Sequence, residues 1–209
     1  RRLHAIARFL SIVLHPLLMP TYTLWLVLRV DPRLGYFLGE VGSLAVLGMV
    51  ALMTVAFPLT STLLLLRAGL ISSLEMSTRS ERIAPYVMSL LYYGMTWYLL
   101  SRTPLHPAAV LLVPGALIAL LFTTLITLRW KISAHMVGIG GGLGALAALG
   151  YLHGCAVLEP MSVLIVLAGA LGTARLLTSD HTPAQVYAGT ALGFLSVFVT
   201  LLLRPTLPF

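Results

Sequence analysis

Seven apolar stretches, each near the roughly twenty residues that cross a bilayer core, follow one another along this chain with short polar breaks between them. They run 9–29, 41–66, 83–100, 107–128, 135–152, 161–178 and 183–203, or six crossings if one stretch is re-entrant. No water-soluble core of 209 residues hides a composition that is 59% hydrophobic and 9% charged. The fold expected is therefore all-α, a polytopic integral membrane bundle of six to seven transmembrane helices, in one domain over 1–209. Residues 1–8 are basic and then apolar without a small-residue cleavage site, and they read as the start of a retained helix rather than a signal peptide. The net charge of +7 is scattered over short loops, which speaks for membrane-flanking arginines and anion ligands and against nucleic acid. One cysteine, Cys155, excludes an intrachain disulfide.

Polar chemistry gathers in three places: Thr78-Arg79-Ser80-Glu81-Arg82 with Pro85, Lys131-Ile132-Ser133-Ala134-His135, and Arg175 with His181 and Gln185. They follow the second, fourth and sixth apolar stretches. Each interval is two crossings, so all three face the same side of the membrane, as a shared site requires.

Each stretch has a structural and a chemical reading. Arg175, near the end of an apolar helix, either compensates the helix dipole with Asp180 as mate or forks onto a phosphate. Pro183 suits a first helical position, which makes Thr182 a cap and His181 the residue beside a helix N-terminus. Gln185 either closes a capping box with Thr182 or holds one nitrogen of His181 so that the other can attack phosphorus. Ser133 reads as a helix cap and His135 as a first-turn residue, an interfacial histidine or a proton donor for a leaving oxygen. Lys131 either snorkels or binds phosphate. Thr78 and Glu81 form a capping-box pattern. Arg79 and Arg82 share a helix face as a solvated pair or a phosphate clamp, with Glu81 placed to orient either. The glycines between Gly138 and Gly144 lie in an apolar helix with no Lys-Ser/Thr after them. They suit close helix packing, as do Gly189 and Gly193.

These residues resemble the type 2 phosphatidic acid phosphatase superfamily, membrane phosphatases related to vanadium haloperoxidases. Ala174-Arg175, His181 and Gln185 follow the spacing of its third motif, Ser-Arg, five residues, His, three residues, Asp. Ile132-Ser133-Ala134-His135 is similar to its second, Pro-Ser-Gly-His. Of the first motif, Lys, six residues, Arg-Pro, Arg82 stands for the arginine, Glu75 occupies the lysine position and Pro85 is displaced by two residues. Gln185 replaces the family aspartate, and active branches of the family share His-x-x-x-Gln-Val. The resemblance implies His181 as nucleophile, with Gln185 in the place of the aspartate that partners it, and His135 as general acid. It implies Arg175, Arg82, Lys131 and Ser133 as phosphate ligands, and no metal or other cofactor. The chain has no cluster of carboxylates suited to magnesium.

The function expected is hydrolysis of a lipid phosphomonoester or polyprenyl diphosphate through a phosphohistidine, in a bacterial cytoplasmic membrane. The partners expected are the lipid substrate and the bilayer. A lipid phosphotransferase using the same histidine, or a lipid-phosphate binder or transporter without turnover, are the alternatives. The distribution of Arg and Lys puts the polar side in the cytoplasm, whereas the resemblance puts it outside, and both stay open.

Overall fold

The computed structural model describes residues 2–74, 76, 78–178 and 181–203, and of Arg79 only the backbone. Its main helices are α1 (Arg2–Val13), α2 (Met19–Val30), α3 (Gly39–Arg67), α4 (Arg79–Leu100), α5 (Pro107–Thr127), α6 (Ala134–His153), α7 (Leu158–Leu177) and α8 (Pro183–Leu202), with no strand among the described residues. The chain is an all-α membrane protein. Five of the helices, α3, α5, α6, α7 and α8, are long and apolar enough to cross a bilayer. α4 has the length, at 22 residues, but tyrosines and Trp97 dilute its apolar character.

The first expected crossing, 9–29, is not one helix. It breaks at His15-Pro16 into α1 and α2, each of 12 residues. Twelve residues rise about 18 Å, well short of the roughly 30 Å hydrocarbon core. Pro16 lacks an N–H and turns the preceding residue away from helix, which explains the break. The carbonyl of Leu17, exposed there, accepts a bond from the buried hydroxyl of Thr54 at 3.2 Å. Thr54 sits in a π-helical turn, Leu52–Ala56, just ahead of Pro58, whose missing N–H interrupts α3 in the same way.

The centre of the bundle is α6 packed against α8. The expected role of the glycines holds here. A Cβ on Gly140 would strike the carbonyl of Thr190, one on Gly144 that of Phe194, and one on Gly193 that of Val137. At Gly189 it would meet the carbonyl of Ser133 at 2.7 Å. The contact numbers rise together along both helices, so α6 and α8 run parallel and begin at the same end. Backbone against backbone, this contact sets the distance between their N-termini, and those N-termini carry His135 and His181.

Candidate functional site

α4, α6 and α8 start at one end of the bundle and α7 finishes there, so the three polar stretches meet. Arg82, Lys131, His135, Arg175 and His181 all line one cavity of about 850 Å³. Its mouth carries these basic side chains and, from α1, His4 and Arg8. Among the described residues, neither Asp nor Glu lines it. Deeper, its walls are apolar, with Val50, Leu112, Val113, Ala116, Ala119 and Val197 from α3, α5 and α8. A polar mouth on a greasy chamber suits a ligand with an anionic head and a hydrocarbon tail.

His181 precedes α8, buried to 8% exposure. Thr182 is the cap, and its hydroxyl accepts from the Gln185 N–H at 3.5 Å. The Gln185 side-chain oxygen accepts the Thr182 backbone N–H at 3.1 Å and also lies 3.1 Å from His181 Nδ1. Capping and orienting are therefore both done, by one atom. This fixes the tautomer. A backbone N–H can only donate, so the shared atom is the amide oxygen, and the bond to Nδ1 requires a proton on Nδ1. In the neutral ring Nε2 then keeps the lone pair. Burial above all, and the charges of Arg175, Arg82 and Lys131, bring the His181 pKa down to about 4 against the raising effect of Gln185. The ring is uncharged at neutral pH and able to attack.

His135, in the first turn of α6, is held in an equivalent way from an unexpected direction. Its Nε2 lies 3.0 Å from the backbone carbonyl of Ser11 in α1. A carbonyl only accepts, so Nε2 carries the hydrogen and Nδ1 the lone pair of the neutral ring. The Ser11 hydroxyl oxygen accepts from Arg175 Nη1 at 3.2 Å. One buried residue of α1 thus touches both the second histidine and the arginine of α7. His15, at the α1–α2 break, stands edge-on to His135 with ring centroids 5.4 Å apart and also lines the cavity.

Arg82 is buried, and its Nε donates to the carbonyl of Met76 at 2.9 Å. Glu81 does not orient it: the Glu81 carboxylate accepts the backbone N–H groups of Ser72 at 2.7 Å and Thr78 at 3.5 Å, completing the expected capping box. Pro85, inside α4, lines the cavity. Ser133, expected as a phosphate ligand, is the described member of the three stretches' ligand set that the cavity lining does not include. It occupies the N-cap position of α6 without a capping bond, its hydroxyl is buried with no partner among the described residues, and it does not line the cavity. Its backbone packs on α8 instead, with its N–H 3.4 Å from the Gln185 carbonyl. The Arg79 side chain, Glu75 and Asp180, the expected mate of Arg175, lie outside the described residues.

The sequence reading missed Ser11 and His15. Their signal was a stripe: His4, Arg8, Ser11 and His15 recur at helical spacing, with Leu3, Ile6, Phe9 and Ile12 exposed on other faces of α1. Fold and site together define a helical membrane protein with a cationic, histidine-bearing cavity at one end. No family model, curated protein or solved structure matches the chain.

Proposed function

We propose that the chain is a membrane phosphatase acting on a lipid phosphate or isoprenoid diphosphate, of the type 2 phosphatidic acid phosphatase kind. The observation that carries this reading is His181: a neutral imidazole with Nδ1–H tied to Gln185, set in a cavity whose mouth also holds Arg82, Lys131 and Arg175. Nε2 gives its lone pair to phosphorus while the bond from phosphorus to the lipid oxygen breaks. The leaving oxygen takes the electron pair and the proton of the substrate's phosphate monoanion, relayed through the lone pair at Nδ1 of His135. Water then gives its proton to His135 as its oxygen attacks the phosphohistidine, and the phosphorus–nitrogen pair returns to Nε2. The arginines and Lys131 face the charge on the equatorial oxygens, which is where positioned donors lower such a barrier.

The test is phosphate release by the purified chain from a panel of lipid phosphates and diphosphates. Release should persist with a chelator present and be inhibited by vanadate, which adopts five-coordinate geometry. It should be lost in His181→Ala. No release from any member of the panel, or release that requires magnesium, overturns the proposal.

A further inference from the structure

A second cluster of reactive side chains lies at the other end of the bundle. It sits where α2 ends and α6 ends, about 30 Å along α6 from His135. Asp31 Oδ2 is 2.7 Å from His153 Nδ1, and with Cys155 Sγ these donor atoms all lie within 4.8 Å of one another. Asp31 is buried to 2% exposure. Gly154, between His153 and Cys155, has a φ of 62°, the left-handed turn that brings two residues only two apart onto one group. His106, just ahead of α5, stands edge-on to His153 with centroids 5.9 Å apart and lines the same pocket of about 320 Å³.

The geometry points to a zinc site formed by Asp31, His153 and Cys155, with His106 beside the fourth position. A tetrahedral ion with bonds of about 2.0–2.3 Å spaces its ligand atoms by roughly 3.3–3.8 Å, so Asp31 and His153 separate slightly as Cys155 closes in. Thiolate, imidazole and carboxylate together suit zinc and not the all-oxygen shells of magnesium or calcium. The ion would join the end of α2 to the end of α6, as a structural centre away from the phosphate cavity.

Arg33 is the built-in competitor. Its guanidinium bonds Asp31 at 2.7 and 3.1 Å and reaches Cys155 Sγ at 3.9 Å. Its side chain is 71% exposed, so it can turn to solvent when a cation takes its place on the carboxylate. This separates the proposal from a plain ion-pair cluster, because zinc and Arg33 exclude each other.

The experiment is zinc binding by the purified full chain, by metal content after dialysis and by titration with zinc alone. One zinc per chain is expected. Loss of an outer-shell partner already costs about 10–100-fold in affinity, so Cys155→Ser and His153→Ala should cost at least that. Arg33→Gln should bind zinc more tightly than wild type. No stoichiometric zinc, binding indifferent to Cys155→Ser, or weaker binding in Arg33→Gln overturns the site. The readout does not depend on hydrolysis.

Discussion

The side-chain oxygen of Gln185 stands 3.1 Å from Nδ1 of His181 and 3.1 Å from the backbone nitrogen of Thr182, so one atom caps α8 and sets the tautomer of the imidazole. Gln185→Ala should therefore lower both rate and stability. The lost bond to His181 corresponds to about 1–3 kcal/mol, or roughly 5- to 150-fold in kcat, and the lost cap to about 1 kcal/mol of stability. Gln185→Glu keeps an acceptor for both donors and should retain most activity. Rate and melting temperature for the two variants check this. A Gln185→Ala enzyme with full rate and only a lower melting temperature would leave the residue as a cap alone.

The depressed pKa of His181 has a sign that can be followed. Folded His181 titrates at about 4, below its ordinary 6.5, so the unfolded chain takes up the proton first. Stability should fall as pH drops from about 6.5 toward 4, and this residue's share of the fall should vanish in His181→Gln. In kcat/KM, the acid limb due to the nucleophile should lie near pH 4. In Gln185→Glu the new carboxylate favours the imidazolium, and the limb should move toward neutrality. pH profiles of both enzymes decide it; an acid limb that stays in place with the carboxylate present argues against this assignment.

Ser11 touches the site through two different atoms, and they can be separated. Ser11→Ala removes the hydroxyl from Arg175 but leaves the carbonyl that holds His135. KM for the lipid phosphate should rise about three- to tenfold with little change in kcat. Ser11→Thr should restore it. An equal fall in both parameters with a lower melting temperature would make the serine merely structural.

The spacing of α6 and α8 should be intolerant of a single methyl. Gly193→Ala places a Cβ against the Val137 carbonyl and forces the helices apart, at a cost of about 1–3 kcal/mol. Because the displacement occurs two turns from Gln185, activity should fall as well. Gly48→Ala in α3, where a Cβ meets nothing within 4 Å, is the control and should be silent in both assays.

The helical class, the common end of the polar stretches and the glycine packing were legible because each depends on local pattern. Span length, breaker residues and the two-crossing interval between motifs carry that information without tertiary detail. Ser133 was hard to read because a cap position and a motif position coincide in sequence, while the packing of its backbone on α8 is long-range. The break at His15-Pro16 was not anticipated, since the expected crossing 9–29 ran through the proline. Nor was it legible that the break lets α1 supply Ser11 to His135 and Arg175, since no pattern within α1 names partners 124 and 164 residues away. The Asp31, His153 and Cys155 cluster was hidden for the same reason, its members lying in breaks that sequence spacing does not join.

The central claim is that His181 carries the phosphoryl group. The purified protein mixed with a lipid phosphate labelled at phosphorus, quenched within one turnover and digested, measures this directly. An acid-labile phosphoryl adduct is expected on the peptide containing His181, formed as fast as turnover and absent in His181→Ala. Sustained hydrolysis by His181→Ala, or turnover by the wild type with the label on another residue, would contradict it.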